Sequence, residues 1–409
     1  MPTKNSTKTL PHFPASAERN QLDGEVARSQ AETAPRFAKI AKYTGAAALA
    51  ATLHAGALFA TDVSEGIKEG KARVGDERAI VHEIYEFTDD ESLFAHHGTF
   101  VMTGLGTKNA SETAETLVAH RAVGDVYAIE YSNKELNTAD IAARIIEQAE
   151  AAELKEVSLD GYSMGGPIAI DVATHIQEKT PELKVVGIVL NSSPVGENGL
   201  TKRSEDGVRM MERVLSLHED LVYYEKGRVG VELVARHDRY LQESSHAASE
   251  RALALHGLSS YSYRGTRYEI DWGSARHELA DIRERLRDPD VAAAQLIRQQ
   301  ADVLKLDLKE KIRQLDSATQ IIYTRSEHAD GDDVVDIEAS EENLVTILER
   351  YKKEYEVIHE DVQHANPAER RTEYDRMIRR QIQPAITGQI ALRALERSGD
   401  TLQLSENAE

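Results

Sequence analysis

The 409-residue chain carries a formal net charge of -21 and no cysteine, so disulfide frameworks, thiolate metal sites and cysteine nucleophiles are excluded. Such an acidic surface repels a phosphate backbone, and nucleic acid is not an expected partner. The length allows two domains or one large domain with an insertion, and with aromatics at only 5% the core has to be built mainly from Ala, Val, Ile and Leu.

Residues 1–43 read as a disordered lead, rich in Thr, Ser, Pro and charge and without apolar periodicity. An apolar helix is expected over 44–63, centred on GAAALAATLHAGALFAT (45–61) and preceded by Arg36, Lys39 and Lys42. Three readings stay open: a single membrane anchor, an Ala-rich helix that packs against protein, and a cleaved signal. The run is short of the roughly 20 apolar residues that a span needs and is interrupted by His54. The long lead before it fits a secretory signal poorly. As an anchor, its basic flank would keep the N-terminus inside. The chain is thus expected either at a membrane or in the cytoplasm.

From Glu77 onward, short runs rich in Val, Ile and Tyr alternate with helical patterns, which predicts parallel βαβ units. The predicted strands are 79–87, 99–104, 126–132, 156–161, 185–192, 319–325 and 355–360. Between the third and fourth, Ile141, Ile145 and Ile146 share one face of a helix over 138–154. The core is expected in two parts, 77–196 and 318–385, followed by a C-terminal tail over 386–409. Between those parts, 197–317 is charged and helix-periodic, and a large helical cap inserted between late core strands is the economical reading. Its tyrosines and the only tryptophan, Trp272, either pack the cap or line a pocket.

In GYSMGG (161–166), Ser163 follows a predicted strand and precedes a predicted helix. A serine projected above a sheet has to sit in a strained strand-to-helix turn, and its neighbours approach so closely that side chains would clash. The helix N-terminus then aims N–H groups and a partial positive charge at the place where an oxyanion would form.

Placed between that strand and helix, the motif resembles the nucleophile elbow of the α/β-hydrolase superfamily, in a form common among its lipases and esterases. The resemblance covers about 79–195 and 319–382. It implies a mostly parallel sheet of the α/β-hydrolase type and a triad in the order Ser, acid, His. Two histidines lie late enough: His359 inside the last strand, and His364 just beyond it, where a loop side chain can reach over Ser163. The resemblance therefore favours His364, and a structural role for His359. For the acid, IIYTRSEHADGDDVVD offers Asp330, Asp332, Asp333 and Asp336; Asp332, with Val335 three residues on, matches the family pattern best.

One oxyanion donor is implied at the N–H of Met164. The second is implied in the loop MTGLGTKNAS, at Leu105 or Gly106, where the family often has His-Gly and this chain has Thr103-Gly104. The activity implied is acyl transfer through an acyl-enzyme, on a carboxylic ester or related small acyl compound, with no metal or organic cofactor. A rival reading is a catalytically inactive hydrolase fold that serves as a binding or scaffold module, tethered to a membrane or free.

Overall fold

A computed structural model of the chain describes residues 61–72, 78–104, 107–132, 136–196, 198–201, 302–326, 334–360 and 370–398, together with shorter pieces between 204 and 299 and residue 367. The chain divides into two compact units, Met1–Glu65 and Gly66–Glu409. Residues 1–60, including most of the apolar segment 45–61, lie outside the described residues, and 61–72 are helical (α1). Among the described residues no helix is long and apolar enough to cross a membrane.

Each of the seven predicted strands forms: β1 (Ile80–Tyr85), β2 (His97–Met102), β3 (Asp125–Glu130), β4 (Glu156–Tyr162), β5 (Lys184–Asn191), β9 (Gln320–Ser326) and β10 (Tyr355–Glu360). They build one sheet in the order β1-β3-β2-β4-β5-β9-β10. Only β1 runs antiparallel, against β3; the other neighbours are parallel. β2 and β4 are buried along their whole length, as strands covered on both faces are, even where β4 alternates polar and apolar side chains in EVSLDGY.

Helices cover both faces. On one, α3 (Thr138–Ala151), α4 (Gly165–Lys179) and α7 (Ile337–Tyr351) share a core with Phe100, Leu159, Ile188 and Ile321. The N-cap of α3 is Asn137, whose side chain accepts from the Asp140 N–H at 3.0 Å. On the other, α2 (Ser111–Thr116), α8 (Arg371–Met377) and α9 (Gln383–Ser398) enclose Val101, Tyr162, Val189 and Ile322. The path moves outward from β2 to β3, returns to β4 on the other side of β2, and continues through β5 to β10. The direction of winding reverses between β2 and β4, and the crevice beyond the carboxyl ends of those two strands is where sheets of this kind bind ligands.

Two differences from the sequence reading stand out. The 386–409 region is not wholly a tail, because α9 runs through Ser398 and buries Ile386 and Ile390 against the sheet. Nor is the 197–317 insertion wholly helical. Beside α5 (Trp272–Arg285) and α6 (Leu308–Gln314) it holds β6 (Leu241–Glu243), β7 (Ser260–Tyr263) and β8 (Thr266–Ile270), an antiparallel sheet in the order β6-β8-β7. Tyr263 pairs with Thr266, so β7 and β8 join through the two residues Arg264-Gly265. SYSYRGTRYEI carries that hairpin signal, alternation around a glycine-containing two-residue turn.

Candidate active site

Ser163 follows the last residue of β4 and precedes α4, with φ +51, in the left-handed region that non-glycine residues seldom occupy. It keeps 9% exposure. Its N–H donates to the Asn191 carbonyl at 2.8 Å, and its own carbonyl accepts from the Gly166 N–H at 3.1 Å. The turn is tight enough to require glycine at 161: a Cβ there would stand 2.4 Å from the Gly165 oxygen and 2.6 Å from Gly166 Cα. Met164 caps α4, which puts its N–H among the first N–H groups of the helix, those without intrahelical acceptors.

The loop after β2 closes on the same serine. A Cβ at Gly104 would lie 2.9 Å from Ser163 Cβ and 3.4 Å from its Oγ, so backbone of this loop stands directly beside the hydroxyl. Two bonds stake the loop: Tyr131 OH donates to the Thr103 carbonyl at 2.9 Å, and Thr103 Oγ1 donates to the Thr107 carbonyl at 3.1 Å. Burial pushes the Tyr131 phenol up, which keeps it a donor. Leu105 and Gly106, between those anchors, lie outside the described residues.

The remaining predicted residues divide in the same way. Asp330, Asp332, Asp333 and His364 lie outside the described residues. The chain enters the acidic stretch from the carboxyl end of β9 and returns at Val335, which bridges Leu200 beyond β5. Asp336 is used as the N-cap of α7, its Oδ1 accepting from the Ala339 N–H at 3.0 Å. His359 sits exposed on the edge strand β10, its Nε2 3.4 Å from Glu341 Oε2, a carboxylate that also takes Arg325 Nε at 2.8 Å.

Beneath the serine the structure holds a polar network that sequence reasoning missed. Asp160, fully buried three residues before Ser163, accepts from His120 Nε2 at 2.8 Å and from Tyr162 OH at 3.2 Å through Oδ2, and from Asn191 Nδ2 at 2.5 Å through Oδ1. Asn191 Oδ1 in turn accepts from Thr324 Oγ1 at 2.6 Å. The chain of bonds ties β4, β5 and β9 together at their carboxyl ends, one residue below the turn. An acidic residue inside the apolar run EVSLDG was the available signal, since a buried carboxylate is seldom without partners.

A mostly parallel seven-stranded sheet, wrapped by helices on both faces and crossed by a strand-to-helix turn bearing a serine at its winding reversal, is an α/β-hydrolase fold. The thioesterase domain family matches residues 114–407, and the chain belongs to that family. Solved structures similar to it include an enol-lactonase from Burkholderia xenovorans LB400, at 12% identity and a TM-score of 0.44, covering 75% of this chain and 96% of that one. An esterase from Exiguobacterium antarcticum matches at 12% identity and 0.43, covering 75% and 95%. A lipase-esterase related protein from Clostridium acetobutylicum ATCC 824 matches at 14% and 0.42, covering 74% and 98%. No curated protein sequence matches the chain significantly. The chain is a hydrolase of the esterase type.

Proposed function

We propose that the chain hydrolyses a small-molecule thioester or carboxylic ester through an acyl-enzyme on Ser163, with His364 as base and Asp332 as the acid that orients it. The observation that carries this reading is Ser163 itself, left-handed at the winding reversal with the β2 loop against its hydroxyl. Family membership supports the acyl chemistry. In sequence His364 follows β10 by four residues and the acidic stretch follows β9, and the described parts of both strands end at the edge where Ser163 follows β4.

In the reaction, His364 takes the Ser163 proton as Oγ attacks the acyl carbon, and returns it to the leaving thiol or alcohol. The Met164 N–H and an N–H of the 103–107 loop, that of Leu105 by resemblance to the family pattern, hold the oxyanion, each worth about 3 kcal/mol to the transition state. Water, deprotonated by the same imidazole, then releases the acid. Asp332 holds the imidazole tautomer and stabilises its cation.

Steady-state hydrolysis of a short acyl thioester and of the matching p-nitrophenyl ester tests the assignment. His364→Ala should lose most activity on both, His359→Ala should keep it, and Asp332→Asn should lower kcat by about four orders of magnitude. Full activity in Asp332→Asn would move the acid to another carboxylate; full activity in His364→Ala would remove the proposed base.

A further inference from the structure

Ser163 is not the only left-handed serine at this edge. Ser192, at the end of β5, has φ +44. Tyr162 pairs with Asn191, so the two serines follow paired residues and leave adjacent strands side by side, about 5 Å apart across the sheet. Ser192 is 1% exposed, and its Oγ has no hydrogen-bond partner among the described residues. A buried hydroxyl without a partner destabilises a fold, and so does a strained backbone at a residue with a Cβ. Both penalties fall on one residue beside the nucleophile, while its neighbours are well bonded. The Ser192 N–H donates to the Thr324 carbonyl at 2.9 Å, Ser193 Oγ reaches the Asn191 carbonyl at 3.3 Å, and the Ser193 carbonyl accepts from Tyr323 OH at 3.2 Å. The backbone is thus pinned on both sides of a side chain without a partner among the described residues.

We propose that the Ser192 hydroxyl is a substrate-contacting group, whose hydrogen bond is made to an oxygen of the acyl substrate when it is bound at Ser163. The sheet order places it: β2, which brings the oxyanion loop, flanks β4 on one side, and β5, which ends in Ser192, flanks it on the other. Ser192 therefore serves the flank of the acyl group opposite the oxyanion. The ligand class is a polar acyl compound with an oxygen acceptor near the scissile carbonyl. This inference rests on the Ser163 reading above.

The test measures thermal midpoint and steady-state kinetics with the p-nitrophenyl ester of an acyl group that bears a hydroxyl or keto oxygen next to the scissile carbonyl, for wild type, Ser192→Ala, Ser192→Gly and Ser163→Ala. Ser192→Ala removes the unbonded hydroxyl and should be at least as stable as wild type, yet lose about tenfold or more in kcat/KM. Ser192→Gly, which also relieves the left-handed backbone, should gain stability and lose the same activity, so that activity follows the hydroxyl and stability follows the strain. Unchanged kcat/KM in Ser192→Ala overturns the proposal, and so does a parallel fall of activity and midpoint, which would mark a purely structural residue. A wild-type rate equal to that of Ser163→Ala would sink the nucleophile reading, and this inference with it; a high wild-type rate with a fully active Ser192→Ala would sink only the inference.

Discussion

A left-handed residue with a Cβ costs on the order of 1 to 3 kcal/mol, and at Ser163 the surrounding bonds hold it there: the Asn191 carbonyl above its N–H and the Asp160–Asn191–Thr324 chain behind. The buried histidine of β2 makes the opposite kind of contribution. His97 Nδ1 donates to the Val123 carbonyl and its Nε2 accepts from Ser158 Oγ at 2.8 Å, an arrangement that needs the neutral ring. Burial, first, and the neighbouring His120 lower its pKa from 6.5 to about 4, against the Val123 bond that raises it. Above pH 6.5 both states are neutral and this residue adds no pH dependence. Between 6.5 and about 4 the unfolded chain takes up a proton that the folded chain refuses, so stability falls as pH falls, by about 3 kcal/mol in all. Urea unfolding across that window should show His97→Gln losing less stability than wild type; equal losses would place the titration elsewhere. At this scale Ser163 was legible because glycines crowd it in sequence as in space. Ser192 and Asn191 were not, since a serine or an asparagine at a strand end looks the same in sequence whether it is bonded or bare; Asp160 carried a signal, an acid inside a strand, that went unread.

Among the elements, strands were the most legible, because short runs rich in Val, Ile and Tyr stand out between charged helical patterns: YEVIHE was predicted over the same residues that β10 occupies. The β7–β8 hairpin was missed because the charged helical pattern on either side outweighed an eleven-residue alternation. The end of the core was misread because the stretch from 386 runs into charge, with Arg393, Glu396, Arg397 and the acidic residues beyond, and so passes for a solvated tail, although Ile382, Ile386 and Ile390 line up at i, i+4, i+8 and are buried. The loop after β2 is the element on which the chemistry should depend most. Tyr131 is its stake, and Tyr131→Phe removes one bond from the Thr103 carbonyl. Stability should fall by only about 1 kcal/mol, the net worth of one hydrogen bond. With the oxyanion donor no longer held, kcat should fall about tenfold or more while KM changes little. A kcat unchanged by Tyr131→Phe would show that the loop holds its place without the phenol.

For the whole molecule, sheet order matters more than any single strand. The winding reversal between β2 and β4 could be read only once strands were paired, because sequence gives the order along the chain and not across the sheet. Composition gave only expectations for the rest: at net charge -21 nucleic acid is not an expected partner, and the Ala-rich run at 45–61, read as a span or a packed helix, lies almost wholly outside the described residues. Every residue assigned to the chemistry lies after Glu77, so a chain starting there should carry the whole machinery. The most direct measurement is covalent labelling by a fluorophosphonate, which reacts only with an activated serine. Labelling of the full chain and of residues 77–409, abolished in each by Ser163→Ala, is the predicted result. A full chain that stays unlabelled would contradict the account and leave an inactive hydrolase fold that binds or scaffolds as the better description; one that labels equally with Ser163 replaced would contradict it by placing the reactive serine elsewhere.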